Sequence, residues 1–196
     1  MNMFDIMDKT DRIFFNFLFG FVLPLFGFEA AVWFAFVNGA AEKTIFHSAL
    51  LGFSVGLVVS LLIRFILKPD IYKLQIWILI LIYLFYNICI FGFFMGVPVF
   101  NLAAGALAGY YWSKRISNRN ELNNSGRDVR RISIFTSSVT GLVCLSSAVI
   151  ALLSKSTPED LKGMFHLNFD ITRPLLISLI IFGGILLVAL QYYLTR

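Results

Sequence analysis

Apolar residues run through this chain in long unbroken stretches, without the alternation of a half-buried strand or the one-sided stripe of a surface helix. Six stretches stand out, near residues 13–36, 44–67, 71–95, 98–112, 132–153 and 174–194. About 20 apolar residues is the length of a helix that crosses a bilayer. The pattern therefore predicts an all-α polytopic membrane protein, a six-transmembrane-helix bundle forming one transmembrane domain over residues 1–196. The fourth stretch is short: at about 1.5 Å per residue it covers roughly 23 Å against about 30 Å of hydrocarbon. It must sit in a thinned region or start below the surface. Gly96-Val97-Pro98 makes it one arm of a tight hairpin. Pro98 suits a first helical turn, where its missing N–H costs no intrahelical bond.

Composition agrees. Hydrophobic residues make up 59% of the 196 positions and charged residues 14%, with a mean hydropathy of +0.83. A soluble domain keeps about a quarter of its residues charged, so that class is excluded. The length leaves little chain for a separate soluble domain. The N-terminal segment mixes Asp5, Asp8 and Asp11 with Lys9 and Arg12, and no small-residue cleavage site follows the first apolar run. That run is expected to be retained as its own insertion signal. The two cysteines, Cys89 and Cys144, each lie inside an apolar run, a setting that suits small core residues better than a disulfide or zinc site.

Charge sets an orientation. Lys9, Arg12, Arg64, Lys68, Lys73, Lys114, Arg115, Arg119, Arg127, Arg130, Arg131 and Arg196 fall on one side of the six predicted spans. Lys43, Lys155, Lys162 and Arg173 fall on the other. The positive-inside rule then predicts that both termini are cytoplasmic, and the expected location is an inner or plasma membrane of a prokaryotic cell. The cytoplasmic segment 113–131, rich in Arg, Asn and Ser, reads as a solvated, mobile loop that can meet anionic headgroups. It lacks the aromatic interleaving of a nucleic-acid site, so no nucleic-acid partner is expected. Between the fifth and sixth spans, Thr157-Pro158-Glu159-Asp160 and Gly163 predict a short surface helix near 158–163.

Ionisable and amide groups inside the spans mark the candidate site. Glu29 lies beyond the midpoint of the first span, where a carboxylate is costly unless it faces a cavity or a partner. His47 begins the second span and is sterically able to meet it. Asn87 and Asn101 fall in the outer halves of the third and fourth spans, with Tyr83 and Tyr86 beside Asn87. Glu29, His47, Tyr86, Asn87 and Asn101 are therefore the candidate ligand-binding residues of an outward-facing polar pocket. The competing reading is that such groups tie helices together by hydrogen bonds of about 1 kcal/mol each.

Other motifs carry less. Gly52-Phe53-Ser54-Val55-Gly56 matches the nucleophile pattern G-x-S-x-G, but sits mid-helix without the strand that motif needs. Its glycines fit a close helix contact instead. Gly105 and Gly109 in the fourth span, and Ser133, Thr136, Ser137, Thr140 and Gly141 in the fifth, predict two tightly packed inner helices. His166 and Asp170 are too few for a metal site, and no nucleotide or metalloprotease motif occurs, so neither catalytic residues nor a cofactor is expected.

In size and helix number the chain is similar to the substrate-capturing subunits of energy-coupling-factor vitamin importers, six-helix bundles that take their ligand from outside. Those subunits dock a partner through an A-x-x-x-A face on the first helix. Ala31 and Ala35 have that spacing, toward the outer end of the span. The resemblance implies a small-solute binder. The expected partners are the lipid bilayer, a small solute or ion, and a second copy or a membrane partner subunit. The alternative is a structural or regulatory subunit that assembles through its small-residue faces, and a membrane-embedded enzyme ranks third.

Overall fold

A computed structural model of the chain describes residues 3–67, 70–94, 97–119, 125–154, 156–164, 166 and 170–196. Among them every regular element is helical. In order these are α1 (Met3–Val37), α2 (Glu42–Leu67), a 3-10 turn η1 (Ile71–Lys73), α3 (Ile76–Phe93), a 3-10 turn η2 (Pro98–Phe100), α4 (Asn101–Arg119), α5 (Ser125–Leu153), α6 (Thr157–Met164) and α7 (Arg173–Thr195). Five helices are long and apolar enough to cross a membrane: α1, α2, α3, α5 and α7. The fourth predicted span is not among them. Contacts gather into two compact units, Met1–Ile82 and Tyr83–Arg196, dividing within α3.

In the first unit α1 and α2 form an antiparallel pair held at unusually close range. A Cβ on Gly27 would fall on the Gly52 carbonyl, one on Gly52 would meet the Ala31 methyl at 2.6 Å, and one on Gly56 would lie 2.8 Å from the Pro24 Cα. Only glycine permits this approach of two backbones. Pro24 lies inside α1, and its ring removes the N–H that would bond the carbonyl four residues earlier. That carbonyl belongs to Gly20, and the Ser60 hydroxyl of α2 donates to it at 2.6 Å. A hydroxyl from the neighbouring helix thus replaces the missing backbone donor, as helices in lipid require. At η1, Asp70 accepts from the Tyr72 N–H at 3.1 Å, and the Arg12 guanidinium lies 5.5 Å from the Tyr72 ring centre.

The second unit is organised around α4, α5 and α7. Thr136 and Thr140 of α5 meet Thr195 and Gln191 of α7, an antiparallel register. Gly105 and Gly109 of α4 abut Gln191 and Thr195 in the same order, so α4 and α7 run in the same direction. This register fixes where α4 begins. Gln191 lies roughly 27 Å along α7 from Arg173, and Pro98 falls level with Gly184, roughly 15 Å past the start of α7. The start of η2 and α4 therefore lies roughly 15 Å past the first residue of α7, level with its middle turns. Pro98 opens η2 and not α4 itself, and the Phe94 and Phe100 rings stack at 3.9 Å beside the turn.

Two expectations need correction. The fourth stretch continues as helix to Arg119, through Ser113, Lys114, Arg115, Ser117 and Asn118, so its second half is too polar for a span. The expected loop 113–131 is helical at both ends, in α4 and from Ser125 in α5, and positions 120–124 lie outside the described residues. Residue pairs three or four apart, such as Arg131 with Asp128 at 3.9 Å and Asn118 donating to the Lys114 carbonyl at 3.0 Å, suit a solvated helix face.

Candidate functional site

Asn101 heads α4, and its N–H bonds the carbonyls of Pro98 and Val99 in η2. Its side chain is fully enclosed, at 0% exposure. The Asn101 amide Nδ2 donates to both the backbone carbonyl and the side-chain Oδ1 of Asn87, each at 2.9 Å. Asn87 in turn donates from Nδ2 to the Tyr83 carbonyl, 2.8 Å away and one turn earlier on α3. The two asparagines predicted as site residues are therefore in contact, and Tyr86 stands next to Asn87 with its ring edge-on to Phe85. One atom is left over. Asn101 Oδ1 is buried and receives no hydrogen bond, as are the Tyr83 hydroxyl and the Ser137 hydroxyl. A buried acceptor left unmade costs about 1–3 kcal/mol, so Asn101 Oδ1 suits a hydrogen-bond donor or a cation.

A second polar group lies among α4, α5 and α7, and it is closed on itself. Thr136 donates to the Thr195 hydroxyl at 3.0 Å, Gln191 Nε2 donates to the same oxygen at 2.8 Å, and Thr140 donates to Gln191 Oε1 at 3.3 Å. Thr195 shares its one proton between the Gln191 carbonyl at 2.9 Å and the Gly105 carbonyl at 3.3 Å. A Cβ at Gly105 would occupy the space of the Gln191 amide. Every side chain in this knot has its partner, so it is a fastening between helices. Of these residues, Gly105, Thr136 and Thr140 are marked by the small-residue pattern of their spans, whereas Gln191 and Thr195 are not. The signal that marks them is Gln191 itself, the one amide in α7.

Glu29 and His47 belong to the α1–α2 pair of the first unit. Glu29 is half-buried on α1 and makes no hydrogen bond or ion pair among the described residues. His47 is exposed, and its Nδ1 lies 2.6 Å from the Lys43 carbonyl within its own helix. The expected Glu29–His47 pair is not formed: Gly27 and Ala31 face Gly52, which places Glu29 near Leu51 and leaves His47 about one turn beyond it. Beside the glycine contact runs an open apolar groove of about 480 Å³, lined by Leu23, Phe26, Val55 and Val59 with Gly27 and Gly52 at its floor.

The remaining motifs resolve simply. Ser54 is exposed and donates to the Leu50 carbonyl at 2.8 Å, while Gly52 and Gly56 serve the contact with α1. The surface helix α6 forms where expected, with Ser156 donating to Asp160 at 2.8 Å at its start. His166 turns back on the Gly163 carbonyl at 2.9 Å. Asp170 pairs with Lys162 at 2.6 Å, and that hydrogen bond, with the lysine charge behind it, holds the Asp170 carboxyl below its usual range. Among the described residues no group of three or more His, Cys, Asp or Glu could hold a metal. Set against known protein families, characterised proteins and solved structures, the chain matches none.

Proposed function

We propose that this integral membrane protein binds, and moves across the bilayer, a small solute or ion at the head of α4, between Asn101, Asn87 and the adjoining face of α3. The observation that carries this reading is the enclosed Asn101 Oδ1, an acceptor without a donor at the start of a helix that begins inside the depth of its neighbours. Helices interrupted at mid-depth are a recurring way of presenting polar groups to a substrate within a membrane. The unmet acceptor favours a ligand with an N–H or O–H group, or a small cation. Tyr86, beside Asn87 on α3, completes the proposed site, while Glu29 and His47 of the α1–α2 pair are kept only as candidates for the test below. The imbalance of Lys and Arg supports cytoplasmic termini, in a membrane we take to be a prokaryotic inner or plasma membrane.

The test is thermal unfolding of the purified protein in detergent against sodium, ammonium, simple amines and vitamin-like solutes. A ligand present at a hundred times its Kd stabilises by about 2.7 kcal/mol. The reading expects such a shift in wild type and its loss in Asn101→Leu, which removes the acceptor at similar volume. If no solute shifts wild type, the reading fails. A response unchanged in Glu29→Gln removes α1 from the site while leaving the Asn101 reading intact. A second reading, a structural or regulatory subunit, is favoured by the open apolar groove walled by Leu23, Phe26, Val55 and Val59, along which another helix would lie.

A further inference from the structure

Past the Gly109–Thr195 contact, α4 continues beyond the end of α7 and carries Tyr110, Tyr111, Trp112, Lys114 and Arg115 in succession. Tyr192 and Tyr193 lie at the corresponding end of α7. Tyrosine and tryptophan gathered where apolar helices give way to Lys and Arg mark a boundary between hydrocarbon and headgroups. The Trp112 indole N–H is buried at this level and has no acceptor. The Arg115 guanidinium lies 5.1 Å from the Trp112 ring centre, and Arg115 is only 5% exposed. The Lys114 ammonium lies 5.7 Å from the Tyr110 ring centre. The first turns of α5, which packs against α4, carry the exposed Arg127, Arg130 and Arg131, of which Arg131 pairs with Asp128 at 3.9 Å. Donors and positive charge thus gather at one end of α4 and α5, and the buried Trp112 indole N–H there has no acceptor among the described residues.

We propose that Trp112, Lys114 and Arg115 of α4, with the arginines that open α5, form a binding site for the phosphate of an anionic lipid headgroup. The phosphate diester oxygens accept from the Trp112 N–H and from the guanidinium and ammonium groups, while the acyl chains lie along the apolar parts of α5 and α7. Bidentate acceptance of a phosphate is what an arginine fork is shaped for. The site is independent of Asn101 and stands whether or not a solute binds at the head of α4.

The experiment compares detergent-purified protein supplemented with phosphatidylglycerol, phosphatidylcholine or inorganic phosphate, reading retained lipid by native mass spectrometry and unfolding temperature in parallel. Phosphatidylglycerol should be retained roughly fivefold or more over phosphatidylcholine, since each basic side chain near an anionic headgroup adds about that factor. Trp112→Phe keeps the ring under Arg115 but removes the N–H, and should lower that preference. Lys114→Gln should lower it further, and guards against a failure of Arg115→Gln to fold. Equal retention of the two lipids overturns the proposal, as does a preference undiminished in Trp112→Phe and Lys114→Gln. Stabilisation by inorganic phosphate to the same extent overturns the lipid source and assigns the site to a soluble phosphate.

Discussion

The α1–α2 pair and the α4–α5–α7 group hold helices together by different means. In the first, glycines at Gly27, Gly52 and Gly56 let two backbones touch, and one hydroxyl, Ser60, meets a carbonyl freed by proline. In the second, glycines at Gly105 and Gly109 make room for a polar knot in which Gln191 and Thr195 bond to threonines of α5. In lipid no hydrophobic force drives helices together, so both solutions rest on close packing and hydrogen bonds. The first gains area by removing side chains. The second spends the same room on an amide whose bonds fix which helices meet and at what register.

Changes that fill or empty these contacts separate the two solutions. Gly105→Leu should be the most damaging, because the new side chain occupies the position of the Gln191 amide and breaks the knot as well as the packing. A loss of about 3 kcal/mol or more is expected from denaturant unfolding in mixed micelles. Gly52→Leu forces α1 and α2 apart without stranding a buried amide, and should cost less, about 1–3 kcal/mol. If the two glycine changes prove equal, the knot adds nothing beyond packing.

Gln191→Leu tests the hydrogen bonds alone, and a loss of about 1–2 kcal/mol is expected in the same assay. Ser60→Ala should cost about 0.6 kcal/mol, and the cost should shrink when Pro24→Ala restores the backbone donor to Gly20. An undiminished cost in the double variant would show that Ser60 acts through something other than the freed carbonyl. The smallest effect is at Asp170, outside the helices that cross the membrane. Its lowered pKa means its pairing with Lys162 contributes above the ordinary carboxylate range and is lost as pH falls through the lowered value. Asp170→Asn should abolish that acid dependence in the amide exchange of α6, with little change in global unfolding because the pair is exposed.

Much of this architecture was readable along the chain. The stretches of α1, α2, α5 and α7 were recognisable because a span in lipid must be apolar throughout, a signal that needs no partner. Thr157-Pro158-Glu159-Asp160 likewise announced α6 through local preferences. The α4 boundaries were misjudged because its second half is a polar helix that short-range pattern cannot tell from a solvated loop. Asn87 and Asn101 each stand out by the rarity of amides in apolar surroundings, but that they bond to one another is decided by the packing of α3 against the start of α4. Glu29 and His47 were matched by depth alone, and the glycine-set register of α1 against α2 leaves them about one turn apart.

The sequence by itself determined that the chain belongs in a bilayer, where its long helices run, and which polar groups had to find partners there. Each of those follows from the cost of placing a side chain or a backbone group in hydrocarbon. Tertiary structure alone decided that Ser60 serves the carbonyl freed by Pro24, that Gln191 fills the space left by Gly105, and that α4 begins partway down α7. Such pairings depend on register between helices distant in sequence, set by close packing of backbones that no local pattern encodes.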